Sequence, residues 1–213
     1  MPRRARSEIP GLTYHVLNRG NGGATLFHCP GDYRAFLELL LEAKSRHPVK
    51  VFAFCLMPNH FHLVVQPLEL TALGGFMHWW MTTHVRRYHG HYERSGHLWQ
   101  DRYKSFPIQH DAHLLTVLRY VVRNPVRATL VDRAVRWPWS SLQFPTLTDP
   151  WPMETPPEWQ EWVEAPLSEL ELQQIRASVT RQAPFGSAIW QESVSSITGR
   201  PPAQRPRGRP RKK

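Results

Sequence analysis

The chain has 213 residues, 41% of them hydrophobic, with 27 Lys and Arg against 17 Asp and Glu, a net charge of +10. That length suits one domain, or one domain with appendages, and is enough to bury a core. No stretch approaches the ~18 apolar residues of a membrane span, the start Met1-Pro2-Arg3-Arg4-Ala5-Arg6 lacks the apolar run of a secretory signal, and Cys29 and Cys55 form neither a C-x-x-C pair nor a disulfide framework.

In chain order, Leu12 to Leu17 reads as a strand ended by the turn-rich Asn18-Arg19-Gly20-Asn21-Gly22-Gly23. Asp32 to Arg46 carries Phe36, Leu39, Leu40 and Ala43 on one helical face. Val49 to Met57 is a strand, Pro58-Asn59 a turn, and His60 to Gln66 the return strand. A second helix runs from Thr71 to about Tyr88, with Leu73, Phe76, Met77, Trp80 and His84 at core spacing. Gly90 to Arg102 is a loop rich in His, Tyr and Arg, followed by a short strand, Ser105 to Gln109, and a third helix, Asp111 to Arg123, with Asp111 as N-cap. This β-α-β-β-α-β-α order predicts an α+β, ferredoxin-like βαββαβ sandwich around an antiparallel sheet, with the hairpin of the second and third strands at its centre.

The predicted organisation is a domain over residues 8–144, an extension over 145–198 and a tail over 199–213. The extension is acidic, Trp- and Pro-rich, then helical from Leu167 to Arg181. From Asp149 to Glu171 there are seven acids and no Lys or Arg. The tail is Arg/Pro/Gly-rich and expected to be disordered when free. Residues 1–7 and 200–213 contain three and seven basic side chains and no acid. Basic ends on a basic body suit a polyanion such as nucleic acid.

His60-Phe61-His62 is the pattern that carries chemistry. Alternate residues of a strand share a face, so both imidazoles point one way and Phe61 the other. Polar side chains placed in an apolar hairpin need a partner, and two imidazoles on a rigid strand are a ready metal pair. In the third helix, Tyr120 and Asn124 are four apart and share a face, and Pro125 sets Asn124 in its last turn. A phenol and a carboxamide there can address one metal-bound phosphate. Two imidazoles alone suit Zn, Cu or Ni, whereas a carboxamide and phosphate oxygens suit Mg or Mn.

Four motifs, in order, resemble the single-tyrosine (HUH) transposases of the IS200-like group, in particular their REP-associated branch. They are Met57-Pro58-Asn59-His60-Phe61-His62-Leu63-Val64-Val65, the run Ser95 to Ser105, the run Arg119 to Ala128, and Trp137-Pro138-Trp139-Ser140-Ser141. The resemblance covers roughly residues 8–144. It implies a metal site at His60, His62 and Asn124, Mg2+ or Mn2+ as cofactor, and Tyr120 as nucleophile. It also implies cleavage and rejoining of single-stranded DNA at hairpins through a 5′-phosphotyrosine. Val121-Val122-Arg123 departs from relatives that often carry a polar residue before Asn-Pro.

Arg86, Arg87, Arg94, His97, Trp99, Arg102, Lys104 and Arg127 are expected to face DNA, arginines pairing with phosphates and aromatics stacking on unpaired bases. Arg207-Gly208-Arg209-Pro210 resembles an AT-hook core, whose arginines enter a narrow minor groove; simple electrostatic tethering is equally compatible. The resemblance implies hairpin single-stranded DNA as partner, a monomeric chain and a bacterial, nucleoid-associated setting; no membrane partner is expected, and the cysteine usage suits a reducing cytoplasm. Two rival functions remain open: a domesticated hairpin-binding module that does not cut, and a nuclease that uses water.

Overall fold

A computed structural model of the chain describes residues 8–202. Its elements run β1 (Thr13–Arg19), α1 (Pro30–Arg46), β2 (Val49–Met57), β3 (His60–Pro67), α2 (Ala72–Tyr92), β4 (Lys104–Ile108) and α3 (Ala112–Val122), then α4 (Asn124–Arg127), α5 (Trp159–Glu164), α6 (Glu169–Arg181) and α7 (Ala188–Thr198). The β-α-β-β-α-β-α order is the predicted one, and Asp111 caps α3 by accepting from the His113 amide at 2.8 Å.

The sheet is antiparallel throughout, in the order β2-β3-β1-β4, which is the ferredoxin-like arrangement. One expectation is corrected. The inner strands are β1 and β3, and β2 is an edge. A tight turn only places β2 beside β3; pairing with the distant β1 decides which of the two lies inside, and no local pattern encodes that choice.

The alternation of β1 and β3 sorts their side chains onto two faces. Tyr14, Val16, Phe61, Leu63 and Val65 meet α1 and α2, together with Phe36, Leu40, Phe76 and Trp80. Val64, Phe106, Ile108 and residues Leu114, Leu118 and Val121 of α3 pack on the other side, with Leu172 and Ile175 of α6. In β2 the register slips between Val51 and Ala53. This bulge carries Phe52 to the α3 face while Val51 and Phe54 both stay on the α1/α2 face.

The chain after α4 covers both sheet edges. Along β2, Leu56 and Phe54 exchange backbone bonds with Trp139 and Ser141, and the Asp149 amide donates to Val51 O at 2.7 Å. The indole nitrogens of Trp137 and Trp151 donate to Leu56 O and Phe52 O. Along β4, Phe185 bridges in parallel, donating to Pro107 O and accepting from Gln109. Covered edges offer no ladder to another chain.

Candidate functional site

Strand register builds the site. Leu17 of β1 faces His62 across one ladder and Lys104 across the other. His15, two residues before Leu17, therefore lies on the same face as His62 and diagonal to it. The two rings stack at 5.1 Å, 5° from parallel, with His15 Nε2 and His62 Nδ1 2.9 Å apart. The Tyr120 ring stands edge-on to both, 5.7 Å from His62 and 6.0 Å from His15. His60 lies 5.1 Å from His62 at the mouth of the strand.

Tyr120 and Asn124 do not share one helix. α3 stops at Val122 with Arg123 as its cap, and Asn124 opens α4 with Pro125 just inside. Proline tolerates a first turn because its missing N–H would have no helical partner there. The Asn124 amide nitrogen donates back to Tyr120 O at 2.9 Å and to Val121 O at 3.3 Å. That leaves Oδ1 as the amide's outward atom, where it meets Arg127 Nη1 at 3.4 Å. The Arg127 guanidinium also sits 4.6 Å above the Tyr120 ring, so one cation joins the phenol to the carboxamide.

Burial and nearby arginines keep the histidines neutral. Desolvation, then the charges of Arg19 and Arg127, lower His60 to about 4. Desolvation alone takes His15 to about 3. His62 falls well below the ordinary value through desolvation, then through His15, His60 and Arg127. A neutral imidazole is the form that binds metal.

The donor set fits a divalent cation. His60 and His62 each commit Nδ1, to Asn59 Oδ1 at 2.7 Å and to His15, which leaves Nε2 of each ring as the nitrogen that could bind a metal. Among those residues no three His, Cys, Asp or Glu form a metal cluster. The candidate ligands are thus two imidazole nitrogens and the Asn124 carboxamide oxygen, which leaves positions for phosphate oxygens and water.

The other expected DNA contacts are scattered. Arg127 is exposed beside Tyr120, and Lys104 begins β4 across Leu17 from His62. Arg86, Arg87 and Arg94 are exposed on or just beyond α2, on the opposite side of the sheet from α3, where Arg87 pairs with Glu38 at 3.6 Å. His97 and Arg102 are exposed and line a cavity of about 1110 Å³ between Glu8 and Ile9, α2 and the 96–103 loop. Trp99 is different: only 8% exposed, it packs against Phe36, Phe61 and His84, so its ring faces are core and do not form a stacking platform. Arg207 and Arg209 lie outside the described residues. Two residues escaped the sequence reading. His15 has the period-2 spacing of a strand histidine, but nothing local marks its partner. Arg19 ends β1 opposite His60.

The Transposase IS200 like family model matches residues 8–124, and the chain belongs to that family. Two relatives narrow the likeness. A Haemophilus influenzae protein, named as a REP-associated tyrosine transposase, is 26% identical over 123 residues, spanning 52% of this chain and 69% of the relative. A solved REP-associated tyrosine transposase, bound to a REP hairpin, superposes with a TM-score of 0.55 at 20% identity. The match covers 79% of this chain and all of that one, and it shows a shared fold. No helix among the described residues is long and apolar enough to cross a membrane.

Proposed function

We propose that this chain is a metal-dependent transposase that cleaves and rejoins single-stranded DNA beside a hairpin, through a 5′-phosphotyrosine on Tyr120. The observation that carries this reading is the Tyr120 ring 5.7 Å from His62, which lies 5.1 Å from His60, with Arg127 joining Tyr120 to Asn124. The hairpin on the solved relative and the basic side chains around this site support the DNA partner.

His60 Nε2, His62 Nε2 and Asn124 Oδ1 would hold Mg2+ or Mn2+. Such an ion polarises a phosphate and neutralises charge developing on it. Arg127 and Arg19, flanking the pair, grip the non-bridging oxygens. Tyr120 Oη gives up its proton to solvent and attacks phosphorus; the P–O bond to the 3′ oxygen breaks, and that oxygen takes a proton from solvent and leaves as a 3′-hydroxyl. The phosphotyrosine keeps the bond energy. A second 3′-hydroxyl can attack it, restoring the phenol and joining strands without ATP. The cavity beside the 96–103 loop receives unpaired bases better than backbone, because the Glu8 carboxylate lines it along with Met77 and Met81.

The test is a denaturing-gel adduct assay on the full chain with a hairpin oligonucleotide carrying single-stranded flanks and Mn2+ or Mg2+. A covalent band that needs metal and vanishes in Tyr120→Phe and His62→Ala is expected. Hairpin binding without an adduct would replace this reading with a non-cutting module. Cleavage without an adduct would replace it with hydrolysis.

A further inference from the structure

The two histidines of the metal pair differ in how their protons are placed. Asn59 Nδ2 donates to Gly23 O at 3.1 Å, so its Oδ1 is the atom that meets His60 Nδ1 at 2.7 Å. A carboxamide oxygen only accepts. His60 therefore carries its proton on Nδ1, and Nε2 keeps a lone pair for a cation.

His62 has no such instruction. Its Nδ1 meets another imidazole nitrogen, Nε2 of His15, at 2.9 Å. Either ring can donate in that contact. If His15 Nε2–H donates, the proton of neutral His62 sits on Nε2, and no lone pair remains there for a metal. If His62 Nδ1–H donates, Nε2 is free, and the proton of His15 sits on its own Nδ1. That nitrogen is buried and has no partner in either case, so nothing around His15 chooses between the two arrangements.

We infer that His15 is a positioning residue of the metal site: it accepts from His62 Nδ1–H and so leaves the His62 Nε2 lone pair for a cation, which selects this one of the two proton arrangements. The inference rests on the reading of His60 and His62 as metal ligands. The partner atom of a ligating histidine is ordinarily a carboxylate, a carbonyl or a water, which fixes the tautomer in advance, as Asn59 does for His60. An imidazole partner leaves the choice to the metal. His15 is fully buried and its ring is held edge-on by Phe106 and Tyr120, so it can serve as acceptor without moving.

The experiment is Mn2+ binding to the full chain, read by electron paramagnetic resonance, in wild type, His15→Phe and His15→Gln. Phe keeps a flat apolar ring and removes the acceptor; Gln restores an acceptor near the place of Nε2. His15→Phe is expected to weaken Mn2+ binding about 10–100-fold, the usual effect of losing such a partner. His15→Gln is expected to recover most of that loss, and metal-free hairpin affinity should stay unchanged in both. Wild-type Mn2+ affinity in His15→Phe overturns the inference. If His60→Ala and His62→Ala also bind Mn2+ as wild type does, the metal-pair reading itself has failed. Should His15→Phe not fold, 15N spectra of the wild-type chain decide. With diamagnetic Mg2+ the His62 proton must be on Nδ1; a proton on Nε2 overturns the inference.

Discussion

Toward α1 and α2, β3 presents Phe61, Leu63 and Val65; toward α3, the same strand presents His60, His62 and Val64. The first face is filled by rings that touch one another: Phe36 stacks on Trp80 at 4.2 Å, and Phe61 lies 4.9 Å from Trp80. The second places three imidazoles and a phenol where a core would ordinarily hold Leu and Ile. The contrast shows how one strand can carry stability and chemistry together. The apolar face supplies the burial that offsets the cost of desolvating the polar one. Rigid packing behind Phe61 also fixes the backbone from which His60 and His62 project, and a site of this kind needs its geometry held closely.

The contrast is broken most forcefully from the apolar side. Phe61→Ala removes a fully buried ring between the two ligands and leaves a cavity against Phe36 and Trp80. A loss of about 3–5 kcal/mol is expected in urea unfolding. Loss of adduct formation should accompany it even under conditions where the variant is folded, because the ligand backbone relaxes toward the cavity. An unfolding midpoint within error of wild type would mean that this face does not carry the fold.

Acid attacks mainly the other face. His15, His60 and His62 there, and His84 on the α1/α2 face, are held neutral well below their ordinary 6.5, chiefly by desolvation. The unfolded chain binds these protons below pH ~6.5 and the folded chain does not. Stability is therefore fully present above that pH and falls as the pH drops through the window toward 3–4. His84 allows the two faces to be separated. It is buried among Phe27, Phe36 and Trp99, and its Nδ1 has no partner. His84→Phe should leave stability at pH 7.5 nearly unchanged and make the loss below pH 6.5 shallower by up to about 1.4 kcal/mol per pH unit. An identical slope would show that His84 takes up its proton without unfolding.

The edge cover ranks next. Asp149 Oδ2 accepts from Lys44 Nζ at 2.8 Å and from the Val51 amide at 2.7 Å, pinning the extension to β2 and α1. Asp149→Ala leaves both donors without this acceptor. A cost of about 1.5–3 kcal/mol is expected, with faster hydrogen exchange along β2. Unchanged exchange there would mean that the tryptophan contacts alone hold the segment.

The sequence made the local parts of this architecture legible. The His60/His62 alternation, the helical face of Phe36 to Ala43 and the Asp111 cap follow from periods of 2 and 3.6 and from capping chemistry. What it hid were relations between distant segments. β1 lies inside the sheet because it pairs with both β3 and β4, which no window around Thr13–Arg19 reveals. His15 becomes a partner of His62 only through that pairing. Trp99 reads as a loop aromatic available to a base, yet Gly20 bridges to it and draws it into the core. Asn124 reads as the last turn of α3, whereas the break at Arg123 gives it a turn of its own.

The smallest expected effect asks how the polar face is roofed. α6 lies against α3 through Leu172 and Ile175 and through an ion pair, Arg119 Nη2 to Glu171 Oε1 at 2.7 Å. Glu171 has a second task, since it closes a capping box with Ser168 at the start of α6. Glutamine serves that box nearly as well, so Glu171→Gln isolates the charge. The two side chains are 16% and 30% exposed, and partly exposed pairs of this sort contribute about 0.2–1 kcal/mol, less in salt. Ile175→Ala, by comparison, should cost about 2–5 kcal/mol because its side chain is wholly buried. If Glu171→Gln proves the more damaging of the two, the roof over Tyr120 is held by charge, and added salt should then loosen it and change the rate of adduct formation. If Ile175→Ala dominates, the roof is apolar packing, and the polar face of the sheet is closed by the same physics as its opposite.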